Sequence, residues 1–377
     1  MDKKNLFISC IPGLEEVVGR EVVALGLSFE VGRAGIFVPY EGMEQIYKLN
    51  LHLRSASRVL LPLAEFRCRD KNDLYKGALA INWYPFFKKM PTFAIDSFVL
   101  HKNLTNSLFA AQTVKDAICD QLKATIGSRP SVDTREPDLG FHLYIVDDKA
   151  TISFDTSNPP LHQRGYRLEG GEAPLRENLA AALLLLGGYT KDDYIVDPCA
   201  GSGTFLIEAA MIASNTAPGT FRRFFGFFLH PEFSQNDWER IKDEANAKVV
   251  KLEQGKFLGI EESVKTYQIL KRAIHASKFD RWIGVKNGDF RTIDLPFSPT
   301  FVIANPPYGK RLSEVEELKE LYYDLGDFFK QKTKKPAKAA LFTGSLELSK
   351  CVGLKTTKRY VLNNGGIECR LLTFDLY

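Results

Sequence analysis

The chain has 377 residues, 45% hydrophobic and 25% charged, an ordinary globular balance with material for more than one core. No run of about 18 apolar residues occurs, so no membrane span is expected, and the apolar stretch Leu6 to Cys10 is too short for a signal peptide, which makes the cytoplasm the expected location. A net charge of +4 permits a polyanionic partner without requiring one, and six dispersed cysteines with no C-x-x-C pair argue against a zinc ribbon or a redox pair, so no metal is expected.

The first third alternates short strands with helices. Asn5 to Cys10 reads as a strand. Gly13 to Leu25 places Leu14, Val17, Val18, Val22 and Leu25 at helical spacing. Ser28 to Gly32 and Gly35 to Pro39 form a hairpin pattern around Arg33-Ala34, and Met43 to Leu53 is a second helical pattern. This order fits a β-α-β-β-α-β sandwich. A second unit follows, with strands at Leu60 to Phe66 and Thr92 to His101 and helices at Asp70 to Ile81 and Leu108 to Leu122. Phe141 to Val146 and Ala150 to Asp155 close it as a hairpin with Asp147-Asp148 in the turn. Neither unit holds a cluster of acids, His or Cys of catalytic type.

From about Leu161 the pattern becomes a regular β/α alternation. Helices are expected at Leu175 to Leu186, Thr204 to Ala213, Ser263 to Ala276 and Val315 to Phe329. Strands are expected at Tyr194 to Asp197, Phe257 to Glu261, Ile283 to Lys286, Phe301 to Ala304, Ala337 to Thr343 and Arg370 to Leu376. Such alternation implies a mostly parallel sheet covered on both faces. Residues Ala217 to Leu252 interrupt it with an aromatic-basic stretch, Phe221 to Phe228, and a further helix. The phenylalanines of that stretch are expected to pack on the core rather than touch a partner, and the lysines of Lys330 to Lys338 to sit in a solvated loop.

Four motifs fall at strand ends. Asp197-Pro198-Cys199-Ala200-Gly201-Ser202-Gly203-Thr204 joins a strand to a helix, where glycines let a ligand approach the backbone and free N–H groups face an anion. A phosphate loop would need Gly-Lys-Ser/Thr, and a dinucleotide loop a small residue where Leu206 stands. S-adenosylmethionine remains, with its carboxylate near the helix start and Asp197 holding its ammonium directly or through water. Glu261, at the next strand end, can accept both hydroxyls of a ribose; Glu262 competes for that role, and an acid at a helix start is also favoured by the helix dipole alone. In Asn287-Gly288-Asp289-Phe290, Asp289 can accept from an adenine amino group with Phe290 beside the ring, while Asn-Gly equally marks a plain turn. The fourth motif, Asn305-Pro306-Pro307-Tyr308-Gly309, ends a buried strand. Two prolines fix the backbone and remove two donors, leaving an acceptor-rich corner. The Asn305 side-chain oxygen and the Pro306 carbonyl can receive the two hydrogens of an exocyclic amine. The Tyr308 face can stack on an unpaired base.

Together with His162-Gln163-Arg164-Gly165-Tyr166-Arg167 and Ala173-Pro174-Leu175-Arg176-Glu177-Asn178-Leu179-Ala180-Ala181, these motifs give the chain its resemblance, over nearly its whole length, to the THUMP-domain-containing guanine-N2 methyltransferases of bacterial 23S rRNA. Older labels call such sequences N6-adenine-specific DNA methylases. The resemblance implies an α/β chain with a ferredoxin-like domain at residues 1–58, a THUMP RNA-binding domain at 59–157 and a class I, Rossmann-like methyltransferase at 158–377. It implies S-adenosylmethionine as cofactor and, as partner, structured RNA in the form of 23S rRNA or a large-subunit assembly intermediate. Larger family members carry a second methyltransferase unit, so one kind of modification is expected here. Glu261 stands where the family usually has Asp, a longer carboxylate that still reaches a ribose. Arg164 and Arg167 are read either as phosphate or cofactor contacts or as partners of acids such as Glu169. Guanine N2 of 23S rRNA is the expected target. N6-adenine methylation of RNA or DNA, guanine-N2 methylation of tRNA, and a non-catalytic role in ribosome assembly are the alternatives, the last disfavoured by the intact Asn305-to-Tyr308 corner.

Overall fold

The computed structural model describes residues 4–167, 175–309 and 312–377; Met1 to Lys3 and the motif residues Glu169, Ala173 and Pro174 lie outside the described residues. In chain order, β1 (Asn5–Ser9), α1 (Glu15–Ala24), β2 (Glu30–Gly32), β3 (Gly35–Pro39) and α2 (Met43–His52) lead into β4 (Arg58–Arg67). The second unit continues with α3 (Lys71–Leu79), β5 (Phe93–Leu100), α4 (Ser107–Ile126), β6 (Leu139–Val146) and β7 (Lys149–Asp155). All seven strands join one sheet in the order β2-β3-β1-β4-β7-β6-β5.

β4 makes the junction. Its first residues, 58–60, pair antiparallel with β1, and residues 60–67 pair with β7. The expected boundary at residue 58 therefore falls at the start of a strand that serves both units. The β4–β7 register shifts between Pro62 and Ala64, where a proline without an N–H removes a ladder bond. Both long helices of the second unit are capped: Asp70 accepts from the Asp73 N–H and Asn106 from the Phe109 N–H, each relieving an orphan donor of the first turn.

The remaining chain comprises α5 (Glu177–Gly187), β8 (Ile195–Asp197), α6 (Thr204–Ala213), α7 (Gln235–Asn246), β9 (Phe257–Glu261), α8 (Val264–Ala276), β10 (Ile283–Asn287), β11 (Phe301–Ala304), α9 (Leu312–Gln331), β12 (Ala337–Thr343), α10 (Leu346–Cys351), β13 (Lys358–Asn364) and β14 (Ile367–Leu376). Its sheet runs β10-β9-β8-β11-β12-β14-β13, parallel through the first five strands and antiparallel at β14 against both neighbours. β8 and β11 are buried at every residue, as expected of parallel strands covered on both faces. The periodicity reading did not include α10 or β13.

The first unit is not a separate lobe. Leu6, Val18, Ile46 and Leu61 belong to one apolar cluster with Leu183, Phe205 and Met211. Arg54, just after α2, donates to the carbonyls of Met211 (3.4 Å) and Thr216 (2.9 Å) at the end of α6. The second unit keeps its own core around Trp83, Phe93 and Phe141. The Phe221-to-Phe228 stretch packs inward as expected: Phe225 and Phe227 are fully buried and stacked 5.0 Å apart. Arg222 reaches under the segment that joins the second unit to the third, donating to the carbonyls of Ser157, Pro159, Pro160 and Gln163 at 2.7 to 2.9 Å.

Candidate active site

Parallel pairing brings the four motifs to one edge of the second sheet. Val302 of β11 is opposite Val196 of β8, Asp197 is opposite Gly259 of β9, and Asn287 of β10 is opposite Glu261. Each motif follows the carboxyl end of its strand, the edge at which open α/β sheets bind ligands.

The turn after β8 is shaped by two glycines in the left-handed region, Gly201 (φ 53°) and Gly203 (φ 80°). At Gly203 a Cβ would sit 2.4 Å from the Leu270 Cδ1, so both conformation and space require glycine there. Gly203 caps α6 with no side chain over its first turn, leaving N–H groups toward the edge. Thr204 opens the helix, its Oγ1 3.2 Å from the Ser202 Oγ and accepting from Arg167 Nη2 at 2.9 Å. Ala200 is buried and its N–H donates to the Ile260 carbonyl at 2.9 Å, tying the turn to β9. Cys199 donates its N–H to Asp197 Oδ1 at 3.1 Å, and burial holds its thiol protonated, far above the ordinary range.

Asp197 is 1% exposed. Burial, helped by the nearby Glu261 and opposed by the Cys199 N–H, pushes its carboxyl up to about 8. Glu261 is held on both oxygens: Oε2 accepts from the Gly201 N–H (2.9 Å) and Oε1 from the Ser263 N–H (3.0 Å). Its carboxylate is thereby aimed along the turn with a lone pair free on each oxygen. Burial raises its pKa against those two donors. Glu262, the competitor, is exposed. Asn287 braces this tip, donating through Nδ2 to the carbonyls of Glu261 (2.7 Å) and Glu262 (3.1 Å), a role the Asn-Gly turn signal did not reveal.

Asp289 accepts from the Arg291 N–H (2.9 Å) and Nε (2.7 Å), and this guanidinium holds its carboxyl below the usual range. Phe290 is 5% exposed and meets Phe328 edge-on, so its ring is a core element. At the β11 corner, Asn305 is half-buried, and its side-chain oxygen is inaccessible and without a hydrogen-bond partner among the described residues. A buried orphan acceptor is costly unless a donor arrives. Pro306 is buried, Pro307 exposed and Tyr308 half-buried, the Tyr308 ring lying over Gly344 where a Cβ would meet it at 2.9 Å.

The two arginines of the approach segment separate in role. Arg164 is 1% exposed, corrects the phosphate or cofactor reading, and is structural: it donates to the Leu161 and Arg54 carbonyls and faces Glu208 at 3.4 Å. The reason is a buried acid 44 residues downstream that the sequence order conceals. Arg167 bridges two helix starts, donating to Thr204 Oγ1 and the Leu175 carbonyl and pairing with Glu177 at 3.4 Å. Among the described residues no group of three or more His, Cys, Asp or Glu could hold a metal, and no helix is long and apolar enough to cross a membrane.

The strand order, with its antiparallel β14, and a glycine turn beside an acceptor corner define a class I, Rossmann-like methyltransferase unit. The chain belongs to the family of the RMKL-like methyltransferase domain, whose model matches residues 164–373, and models of the THUMP domain and the RlmL ferredoxin-like domain match residues 68–155 and 5–60. It is 37% identical to the ribosomal RNA large subunit methyltransferase K/L of Syntrophotalea carbinolica, over all of this chain and 54% of that protein. Against the protein of the same name from Photobacterium profundum it is 37% identical over 96% of this chain and 51% of that one. The chain thus spans about half the length of these curated relatives. Among solved structures, a presumed methyltransferase complexed with SAH superposes with a TM-score of 0.87 at 30% identity, covering 100% of this chain and 99% of the other. A predicted N6-adenine-specific DNA methylase from Listeria monocytogenes gives 0.85 at 26% identity, covering 99% and 96%.

Proposed function

We propose that this chain methylates the exocyclic N2 amine of a guanine in 23S rRNA, using S-adenosylmethionine, in the cytoplasm where ribosomal RNA is assembled into subunits. The observation that carries the reading is the buried Asn305 oxygen, unpartnered among the described residues, on the strand that pairs with the one leading into the glycine turn. The donor set fits the cofactor. Asp197 would hold the ammonium, the N–H groups of Ser202 and Thr204, in the turn that Gly201 and Gly203 shape, the carboxylate, Glu261 the ribose, and Asp289 the adenine amine. Cys199 and Ala200 would line the turn and Phe290 would back it from the core. Bound there, the cofactor supplies an electrophilic methyl group.

The protein's part is to hold the acceptor nitrogen. Asn305 Oδ1 and the Pro306 carbonyl accept its two hydrogens and draw its lone pair out of conjugation with the base. Pro307 keeps the corner rigid, and Tyr308 offers a face for the base. No strong general base is required, because the amine becomes acidic as it is methylated. Support for RNA comes from the THUMP match and from the names of the rRNA methyltransferase relatives. An N6-adenine target is chemically similar, and the Listeria protein carries that name.

The test is transfer of tritiated methyl to rRNA, tRNA and duplex DNA, followed by nucleoside mass spectrometry. N2-methylguanosine in 23S rRNA is expected. N6-methyladenosine, or label on DNA alone, overturns the choice. Asn305→Ala should lower turnover by about 10²-fold, the scale of removing one preorganised hydrogen-bond partner, while cofactor affinity stays within a few-fold. Full activity in that variant removes Asn305 from the mechanism.

A further inference from the structure

A second charged surface lies on the far side of the methyltransferase sheet. β11 and β12 run in parallel, so residues 299–301 and 334–338 mark the edge opposite the Asn305 corner. Two segments distant in sequence enter the sheet there. One is the loop after α9: Lys334 donates its N–H to the Pro299 carbonyl, and Lys338 is opposite Asp375 of β14. The other leads into β13: Thr357 donates its N–H to the Thr373 carbonyl and accepts from the Asp375 N–H through its hydroxyl. Lys332, Lys334, Lys335, Lys338, Lys355, Lys358 and Arg359 are all exposed on these segments.

Lys338 donates to the Gly188 carbonyl at 3.2 Å, but none of the seven is in an ion pair among the described residues. The acids of this edge do not neutralise them. Asp193 accepts from Thr190 and Thr300, and only Asp375 and Asp192 stand open beside the cations. Some surface lysines elsewhere on the chain have acids within reach, as Lys319 has Glu316 and Glu347, and Lys149 has Glu65; what sets this edge apart is the gathering of seven cations from two segments with few acids beside them. Unpaired like charges gathered from two segments repel one another. A polyanion relieves that repulsion and releases its own counterions.

We propose that this edge is a second RNA-contact surface, which grips phosphates of the substrate RNA on the side of the sheet away from the catalytic corner. It rests on the reading above that the substrate is RNA. The five residue steps from Lys338 to Thr343 span roughly 17 Å at about 3.3 Å each, so one structured RNA can touch both sites. The contact is with backbone, because lysine ammoniums are point charges that position nucleic acid without reading sequence. The bland competitor is edge protection: β13 is an edge strand, and lysines there discourage pairing with another chain.

The full chain carrying Lys332→Gln, Lys334→Gln, Lys335→Gln, Lys355→Gln and Lys358→Gln separates the two. Binding of a labelled RNA hairpin is followed by fluorescence anisotropy through a potassium chloride series, with S-adenosylmethionine affinity measured beside it. The expected result is a salt slope shallower by about 3 to 4 and affinity at least about tenfold weaker at 0.1 M salt, with cofactor affinity unchanged. Slope and affinity equal to wild type overturn the surface and leave the RNA reading standing. Wild-type protein that binds cofactor but no RNA removes both. Should the fivefold variant lose cofactor binding, Lys334→Glu with Lys355→Glu repeats the measurement with only two exposed changes, under the same criteria.

Discussion

Asp197 offers the sharpest test of the cofactor site, because its burial fixes a pH signature in advance. With its carboxyl near 8, the acid is mostly protonated at pH 7, roughly ten molecules to one, and ionising it there costs about 1.4 kcal/mol. If it receives the methionine ammonium, binding must draw off that proton. Calorimetric titration with S-adenosylhomocysteine, which carries the same ammonium, should show about 0.9 proton released per molecule bound at pH 7. Affinity should rise about tenfold per pH unit from pH 6 towards 8 and then level off. Asp197→Asn keeps the shape and abolishes the titration, so its affinity should be weaker and flat over the same range. The ligand-free stability runs the opposite way. A folded-state value above the ordinary 3.8 favours the protonated form, so wild type loses up to about 1.4 kcal/mol per pH unit as pH rises from 3.8 to 8, relative to the Asn variant. An unchanged proton count in Asp197→Asn, or pH-independent wild-type affinity, would show that the ammonium is held elsewhere.

Two other substitutions probe the scaffold of the site. Gly203→Ala forces a positive φ and a Cβ 2.4 Å from Leu270, so thermal unfolding should report a loss of about 1–3 kcal/mol together with weaker cofactor binding. Adding Leu270→Ala should relieve the clash but not the backbone strain, and a single variant as stable as wild type contradicts both. Arg164→Ala leaves Glu208 buried with one fewer cation, and chemical denaturation should show a loss of about 3–5 kcal/mol. Glu208→Gln in the same chain should recover part of it; a loss below 1 kcal/mol in the single variant would show that water reaches this pair.

Periodicity alone located the strands and helices that carry the site. Phe301–Ala304 is an uninterrupted apolar run ending at a turn, Phe257–Ile260 carries apolar residues up to Glu261, and Thr204–Ala213 begins where the second glycine of the turn ends. What escaped detection is short or polar. α10 has six residues, too few to show a period, and β13, last in the strand order among the described residues, reads Lys-Arg-Tyr-Val-Leu-Asn-Asn, with little apolar signal. Phe290 shows what local reading omits: beside Asp289 in sequence it suggested a ring next to adenine, and the structure adds that β10 ends three residues before it and that its ring meets Phe328 on α9. No property of residues 287–290 announces that partner. Arg164 failed for the same reason in polar form, since arginine is exposed by default and only Glu208 makes it buried.

That buried charge also explains why the first unit cannot be regarded as an appended arm. Glu21 of α1 accepts from the N–H groups of Arg54 and Ser55, Arg54 caps the end of α6, and Arg164 joins the Arg54 carbonyl to Glu208 in the middle of α6. Tyr166 donates to the same Glu208, and its neighbour Arg167 holds Thr204 at the start of the helix. α6 is buried at every residue but Ile212, and the first unit shares its apolar cluster and meets its end through Arg54. Directly or through Arg54, these links lead to the helix whose first turn faces the proposed cofactor. Removing residues 1–58 would therefore strip the support from the glycine turn as well as any RNA contact, and loss of activity in such a truncation would say nothing about RNA. Point changes on exposed side chains, which leave the web around Glu208 intact, are the way to separate holding the substrate from holding the cofactor.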